Sequence, residues 1–340
     1  MTSVLQTPSV SVNEVFDIDA LESLSLEWLN LWKRCSTATP FQTPQWILPW
    51  WRNFGGDNLR AITLRHEKEL IGLAPLFIYR DPSTKTRQLL LIGTGVTDYL
   101  DVLLADAWLD DGLTALARYI TDQWDQWDVC DFQELQQGSA LLKLDDLCGY
   151  SGQKTVQNFC PVLQLPPQVD VLSQITSRGL FEELHHKRAK LERMGKVDFE
   201  TANQDNWYSF FDKFLSLHSS RWAMLGLPGV MADATVQNFH REVIPGMLSQ
   251  GLLRLFVLKL DDRTLAAYYG FFDRGRAYYY LSGFEPELAK LSPGMLIVNY
   301  AMREAIREGA FEFDFLRGQE KYKYRWMVQD RPNYRYRLCR

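Results

Sequence analysis

Hydrophobic and polar positions alternate along this chain with two different periods. From Leu21 to Leu31 the apolar residues recur every three or four positions, which predicts an amphipathic helix. The stretches at 59–66 and 70–80 are short and apolar, and a polar turn at 67–69 separates them. Runs of this length beside turn residues are typical of strands. The pattern therefore predicts a protein that mixes helices and strands.

The same reading, continued along the chain, predicts similar elements in both halves. In the first half we expect helices at 19–33, 44–54, 111–124 and 139–147, and strands at 59–66, 70–80, 88–92, 99–104, 128–135 and 156–165. In the second half we expect helices at 180–194, 207–222, 234–248 and 293–308, and strands at 197–201, 253–260, 265–272, 277–284, 311–316 and 334–338.

The second half repeats the element order of the first. The two strand meanders align without a gap when residue 67 is set on residue 262, an offset of 195. Asp131–Phe132 and Asp314–Phe315 also correspond, since each pair lies in a strand that follows a helix. Two matches in the same order favour an internal duplication.

A chain of 340 residues is long enough for about two domains. The first residues, 1–15, show no period and are expected to be a flexible lead-in. We predict an N-terminal domain at 16–165 and a C-terminal domain at 166–340, joined near Pro166–Pro167.

Charge and cysteine content limit the classes of function. The net charge is −5, but residues 1–165 hold 12 basic and 21 acidic residues, a net charge of −9, whereas the rest of the chain is basic. This balance argues against broad nucleic-acid binding, DNA included, and allows one anionic ligand. The 5 cysteines are scattered and odd in number, which indicates reduced thiols in a cytoplasmic protein. We expect no signal peptide, no transmembrane segment and no metal site.

The strongest candidate site is a helix start near the C-terminus. Ser292 and Pro293 are a good helix start, and Gly294 leaves room for a ligand to approach the backbone. A helix N-terminus of this kind can bind an anion, although a well-capped helix start has the same sequence. In the strand that follows, Asp314 lies on the face opposite Phe313 and near the strand's C-terminal end.

Several motifs in the second half resemble one acyltransferase family. The run from Phe313 to Trp326, the pairs Leu217-His218 and Arg221-Trp222, the loop at 226–229, and the stretches at 279–283 and 291–294 resemble the cellulose-biosynthesis (CelD/BcsL-like) group of the GNAT superfamily, which is related to the Fem peptidyltransferases. The resemblance spans about residues 180–330.

The resemblance implies a mixed α/β (α+β) fold of tandem GNAT-like domains, each with a central, mainly antiparallel sheet flanked by helices. It also implies an acyl thioester donor, acetyl-CoA or another acyl-CoA, between two separated strands. On this basis we predict donor-binding residues Tyr280, Ser282, Gly283, Ser292, Gly294 and Met295, catalytic residues Asp314, Lys323 and His218, and acceptor-binding residues Arg221, Trp222, Arg317 and Glu320.

Each assignment has an alternative. Asp314 is the candidate general base, and Lys323 stabilises charge or binds phosphate. His218 contacts substrate or is a packed core histidine, and Arg221 binds an acceptor anion or neutralises a buried acid. The common GNAT phosphate loop, Q/R-x-x-G-x-G/A, is absent, and residues 291–294 stand in its place with fewer exposed amides.

The predicted reaction moves an acyl group from acyl-CoA to an amine or to a small-molecule or sugar-linked hydroxyl. A role in exopolysaccharide or cellulose biosynthesis, with association with that machinery, is implied by the resemblance alone. Two alternatives stay open. One is a Fem-like transferase that uses aminoacyl-tRNA, against which the net charge of −5 argues. The other is a non-catalytic scaffold of a polysaccharide synthase.

Overall fold

The structure is a computed structural model that describes residues 10–339. The chain folds into two compact units. The first unit runs to Asn158 and takes up the chain again at Pro332, and the second unit is Phe159–Arg331. The domain boundary expected at 165 and 166 therefore falls seven residues earlier in the structure, and the last strand, expected in the C-terminal domain, belongs to the first unit.

The first unit contains both strands and helices. Its strands are β1 (Val10–Val15), β2 (Ala61–His66), β3 (Glu69–Ala74), β4 (Leu76–Arg80), β5 (Arg87–Leu91), β6 (Leu103–Leu104) and β7 (Val129–Leu135). Its helices are α1 (Ile18–Ser23), α2 (Ser25–Lys33), α3 (Pro44–Phe54), α4 (Leu109–Asp122) and α5 (Leu144–Cys148). Strand β8 (Ser151–Gln164) leads from this unit into the second.

The second unit places its helices around one sheet of order β8-β13-β12-β11-β10-β9. Its strands are β9 (Val197–Thr201), β10 (Leu253–Leu260), β11 (Arg263–Asp273), β12 (Arg276–Phe284) and β13 (Glu312–Asp314). Its helices are α6 (Arg178–Glu192), α7 (Trp207–Met224), α8 (Ala234–Ser249), α9 (Pro293–Arg307) and α10 (Lys321–Tyr324). Strand β14 (Gln329–Cys339) returns the chain to the first unit.

Strand pairing confirms the predicted fold class, in which mixed sheets are flanked by helices. In the second unit β9, β10, β11 and β12 pair antiparallel, and β12 then pairs parallel with β13 across helix α9. The first unit repeats part of this order, because β4 pairs antiparallel with β5, and β5 pairs parallel with β7 across helix α4. Its other strands, β1, β2, β3 and β6, form a separate antiparallel sheet. The two units thus share the part of the element order in which an antiparallel pair is followed by a helix and a parallel strand.

The two ends of the chain differ from expectation because each contributes a strand. Residues 10–15, expected to be part of a flexible lead-in, form β1 and pair antiparallel with β2; residues 1–9 lie outside the described part. From Tyr334 to Cys339 strand β14 pairs antiparallel with β7, and this ladder of hydrogen bonds joins the last strand to the first unit. Within residues 10–339, no helix has both the length and the apolarity to cross a bilayer.

Helix α7 lies directly on strand β12 because a glycine allows it to. A Cβ atom built on Gly283 would lie 2.4 Å from the backbone nitrogen of His218 and 2.7 Å from the carbonyl carbon of Leu217. Only hydrogen fits in that space. The close approach sets the distance between the strand and the helix that carries His218, Arg221 and Trp222.

Replacing Gly283 by alanine is expected to destabilise the protein by about 1–3 kcal/mol, the usual range for overpacking. The new methyl group must push α7 away from β12, because its contacts are backbone atoms that cannot rotate aside. Urea unfolding measures this loss. Gly179→Ala is the control: nothing lies within 4 Å of a Cβ at Gly179, which lies in helix α6. A Gly283→Ala protein as stable as this control would contradict the close packing.

Candidate active site

A cavity of about 340 Å³ opens where strands β12 and β13 separate. The parallel ladder between them joins Arg276 to Glu312 and ends at the pair Tyr278 and Asp314, whereas β12 continues to Phe284. The lining comes from the end of α7, the free part of β12, the start of α9 and helix α10: Arg221, Met224, Leu225, Tyr279, Ser282, Phe284, Ala289, Ser292, Pro293, Gly294, Met295 and Tyr322.

A β-bulge decides which residues of β12 face this cavity. Tyr269 of β11 pairs with Leu281, but the next residue, Gly270, pairs with Tyr279, so Tyr280 has no place in the ladder. The extra residue brings Tyr279 and Ser282 to the same face although they are three positions apart. Tyr280 is turned away, with its hydroxyl 3.5 Å from Nε2 of His240. Tyr280, predicted to bind the donor, therefore does not line the cavity.

The N-terminus of α9 forms one wall of the cavity. Ser292 precedes the helix with a positive φ of 53°, and no side chain caps this end. The amides of Met295 and Leu296 donate to the Ser292 carbonyl, and proline has no amide. Among the described residues, no acceptor takes the N–H of Gly294. The helix therefore presents one amide and its partial positive charge to the cavity.

Arg221 brings a full positive charge to the same cavity. Its guanidinium lies 5.5 Å from the ring centre of Phe284 and 5.9 Å from that of Tyr322, between two aromatic walls. No carboxylate of the described chain pairs with it. A half-buried arginine that lacks an ion pair and faces a cavity is a natural anion ligand.

Three hydroxyl groups form a connected chain on the cavity wall. The Tyr322 hydroxyl donates to the Tyr279 hydroxyl at 3.2 Å, and the Tyr279 hydroxyl is hydrogen-bonded to Ser282. Burial raises the pKa of both tyrosines, that of Tyr322 well above its ordinary value. Both phenols are thus protonated at neutral pH and can donate hydrogen bonds. Tyr279 and Tyr322 were not predicted as site residues. Tyr279 faces the cavity only because of the bulge, which the sequence does not show. Tyr322 lies in a motif from which only charged residues were predicted to be part of the site.

The structure gives Lys323 a structural setting rather than an active-site one. Its ammonium group is 3% exposed and donates to the carbonyl oxygens of Phe315, Arg317 and Gly318, each at 3.0 Å. Glu320 pairs with the same group at 2.9 Å. All three protons of Lys323 are therefore engaged in holding the loop after β13. Neither Lys323 nor the predicted acceptor ligands Arg317 and Glu320 line the cavity.

Asp314, the predicted general base, is fully buried in an ion-pair network away from the cavity lining. One carboxylate oxygen accepts the Leu316 N–H at 2.8 Å, and the other lies 3.4 Å from Arg331. Arg331 also pairs with Glu312, two residues earlier on β13. In the first unit the corresponding Asp131 is likewise buried, and Arg335 binds it. The recurrence of a buried aspartate–arginine pair favours a structural role for Asp314.

His218 and Trp222 face each other and not the cavity. The Trp222 Nε1–H donates to Nε2 of His218 at 2.9 Å, and His218 is 1% exposed. Burial, with a smaller effect from Arg221, lowers the pKa of His218 to about 4. The imidazole is therefore neutral at physiological pH.

The structure brings five of the thirteen predicted site residues together at the cavity. The predicted residues that line the cavity are Ser282, Ser292, Gly294, Met295 and Arg221. Those that it places elsewhere are Tyr280, Gly283, Asp314, Lys323, His218, Trp222, Arg317 and Glu320. In addition, no group of three His, Cys, Asp or Glu side chains within residues 10–339 is arranged to hold a metal ion.

Comparison with known families agrees with this geometry. Residues 180–324 match the family model described as an acetyltransferase (GNAT) domain. This part of the second unit is therefore similar to a GNAT acetyltransferase domain. The match covers the cavity and both of the strands that separate, and it extends the GNAT assignment no further than this unit. The CelD/BcsL-like group stays a prediction.

Similar solved structures extend over most of the chain. FemX has a TM-score of 0.66 and 12% identity, and the match covers 92% of this chain and 95% of FemX. The C-terminal domain of a putative lysylphosphatidylglycerol synthetase from Agrobacterium fabrum has a TM-score of 0.58 and 11% identity, with coverage of 93% and 91%. L-PGS from Bacillus licheniformis has a TM-score of 0.53 and 11% identity, with coverage of 86% and 90%. At these identities the likeness shows the fold alone. No curated protein matches the chain.

Asp314→Asn is expected to cost about 2 kcal/mol of stability, because it removes a charged partner from a buried network. Urea unfolding measures the loss, and Asp205→Asn on the exposed surface is the control, expected to change stability by less than about 0.5 kcal/mol. A stable Asp314→Asn protein whose turnover falls about a hundredfold would instead identify Asp314 as the general base.

Stability is expected to fall on acidification, because two buried histidines resist protonation. Burial lowers the pKa of His240 to about 3, as it lowers that of His218 to about 4. Between these values and 6.5 the unfolded chain binds more protons, so each histidine makes the free energy of unfolding rise with pH, by up to about 1.4 kcal/mol per pH unit. Burial raises the pKa of Asp101 to about 7, which has the opposite effect.

The contribution of one histidine is therefore read as a difference between two proteins. Between pH 6.5 and 4, His240→Phe should lower the slope of the unfolding free energy against pH by up to about 1.4 kcal/mol per pH unit, which corresponds to one proton. Urea unfolding at several pH values measures this slope. An unchanged slope would show that His240 titrates normally in the folded protein.

Proposed function

We propose that this protein transfers an acyl group from an acyl-CoA to an amine or a sugar hydroxyl, and that the donor binds in the cavity between β12 and β13. The proposal depends on one observation above all. The uncapped N-terminus of α9 and the unpaired guanidinium of Arg221 face the same cavity, at the point where β12 loses its parallel partner.

The phosphate groups of the donor fit the positive wall of this cavity. A helix N-terminus binds phosphate through its free amides, and in α9 the free amide is the Gly294 N–H. The glycine-rich loop that would add further amides is absent from residues 291–294. Arg221, which comes from a different helix, supplies the charge that a glycine-rich loop would otherwise help to neutralise.

The pantetheine arm of the donor fits the free edge of β12. Beyond Tyr278 this strand has no ladder partner on the β13 side, and unpaired backbone groups in a sheet need hydrogen bonds. An extended chain with amide groups can supply them as an added strand would. This position leads the thioester toward the hydroxyl chain of Tyr279, Ser282 and Tyr322.

Transfer then needs attack on the thioester carbon and departure of sulfur. The nitrogen or oxygen of the acceptor forms a bond to the acyl carbon and gives up a proton to solvent, while the carbon–sulfur bond breaks. The leaving thiolate takes a proton, for which the phenol of Tyr322 is our candidate donor, and the strongly basic phenolate then regains a proton from solvent. Holding both reactants in one cavity supplies much of the acceleration.

The acceptor is proposed on weaker grounds than the donor. The resemblance of the motifs to the cellulose-biosynthesis group supports a small-molecule or sugar-linked acceptor in extracellular polysaccharide production. Purified protein incubated with labelled acetyl-CoA and a panel of amino sugars and amines would identify it by transfer of label. A protein that binds acetyl-CoA but labels no acceptor would favour the scaffold alternative.

A second donor class has specific support. FemX and lysylphosphatidylglycerol synthetase share this fold, and the name of the latter describes an aminoacyl-modified lipid. The incomplete phosphate loop fits such a donor as well as it fits CoA. Parallel assays with acetyl-CoA and with charged tRNA decide between the two. Transfer from tRNA without any response to acetyl-CoA would overturn our proposal in favour of the aminoacyl transferase.

Arg221→Gln is expected to weaken acetyl-CoA binding about tenfold or more, because a charge-assisted bond to phosphate is lost. Isothermal titration calorimetry at several salt concentrations measures the affinity, and the variant should also depend less on salt. Arg193→Gln, at an exposed position after α6, is the matched control and should bind like the native protein. Equal affinities for the two variants would remove Arg221 from the donor site.

Tyr322→Phe is expected to lower turnover about a hundredfold while acetyl-CoA affinity stays within about twofold, because the ring that packs beside Arg221 remains and only the proton donor is lost. Steady-state assays and calorimetry on the same preparation separate the two quantities. Full turnover in this variant would show that solvent protonates the thiolate.

A further inference from the structure

The contact between Trp222 and His218 lies at the end of α7, one residue beyond Arg221. The indole Nε1–H is only a donor, so Nε2 of His218 must accept and the ring proton must be on Nδ1. Among the described residues, Nδ1 has no hydrogen-bond partner, which makes the accepting Nε2 the only polar contact of this buried ring. A group that is buried and engaged in this way is poorly suited to react with a substrate.

A glycine loop rests on the same two side chains. Gly229 has a positive φ of 70°, and a Cβ built there would lie 2.6 Å from Cδ1 of Trp222 and 2.9 Å from Cε1 of His218. The carbonyl of Trp222 accepts the Leu227 N–H at 3.0 Å. The side chains of His218 and Trp222 therefore pack together with the loop at 226–229 as one cluster.

This cluster packs against a helix end whose last residues are exposed. Met224 and Leu225 are 56% and 55% exposed although they line the cavity, and Arg221 reaches the cavity from the turn before them. An exposed last turn frays easily unless it is tied down. The bond between Trp222 and His218 ties it to the buried part of α7, which itself rests on β12 at Gly283.

We infer that His218 is a positioning residue, which through Trp222 fixes the end of α7 so that Arg221 faces the anion-binding wall of the cavity. Its neutral imidazole is required as an acceptor and takes no part in the chemistry. The inference rests on the proposed function only in naming the anion as the phosphate of an acyl donor. That Arg221 depends on His218 follows from the contacts themselves.

The test compares variants that keep or remove the acceptor. His218→Leu fills the space without a lone pair, and should weaken binding of both acetyl-CoA and inorganic pyrophosphate about tenfold, with KM raised and kcat changed less than twofold. Trp222→Phe should have the same effect, and the double variant should be no worse than either single variant, because both remove one contact. His218→Gln, whose amide oxygen can accept the indole proton, should restore most of the affinity.

His240→Leu is the control for general loss of stability. His240 is also fully buried and bonds the Tyr269 hydroxyl at 3.1 Å, but it lies on α8 and does not line the cavity. This variant should lower the melting temperature without changing either affinity. If His218→Leu binds both probes like the native protein, or if its loss is matched by His240→Leu, the inference is wrong. A kcat that falls with unchanged affinity would also overturn it, in favour of a catalytic histidine.

The two probes separate this inference from the proposed function. Suppose that the native protein binds pyrophosphate but not acetyl-CoA, and that His218→Leu weakens pyrophosphate binding about tenfold. This result would support the positioning role and overturn the acyl-CoA proposal. Native protein that binds neither probe would overturn both.

Discussion

The early end of one parallel strand pair is the constraint on which the site depends. Strands β12 and β13 pair only as far as Tyr278 and Asp314, after which β12 continues alone. The buried carboxylate of Asp314 contributes to this geometry, since it accepts the amide of Leu316 and lies beside Arg331. Lys323 then binds three carbonyl oxygens of the following loop. These buried charges hold the chain that follows β13, next to the point where β12 continues without it.

In the proposed donor site, a charge from another helix adds to a short phosphate loop. A single free amide at Gly294 is a weak anion ligand, and helix ends alone contribute modestly. Arg221 adds a full charge, held between two aromatic rings and without an opposing carboxylate in the described chain. The arginine is useful only while the end of α7 is held in place. Anion binding and helix packing are therefore linked through Trp222, His218 and Gly229.

The sequence predicted the fold well and the site in part, for physical reasons that differ. Hydrophobic periods located nearly every helix and strand, and the match at an offset of 195 reflects a shared element order. The bulge at Tyr280 could not be predicted, because it depends on how β11 and β12 pair. As a result of the bulge, Tyr279 and not Tyr280 lines the cavity. Asp314 and Lys323 looked catalytic because charged residues in a motif suggest chemistry, but their partners are distant in the sequence or are backbone atoms. The return of the last strand to the first unit likewise depends on pairing with β7.

Amide hydrogen exchange with and without acetyl-CoA tests the central claim most directly, because it locates the donor on the backbone. The account predicts slower exchange at residues 279–284 and at Gly294 when acetyl-CoA is added, since these amides would bond or bury against it. The corresponding strand of the first unit, Arg87–Leu91, should exchange at an unchanged rate. Protection that appears only outside β12 and the start of α9, while calorimetry confirms that acetyl-CoA is bound, would contradict the account.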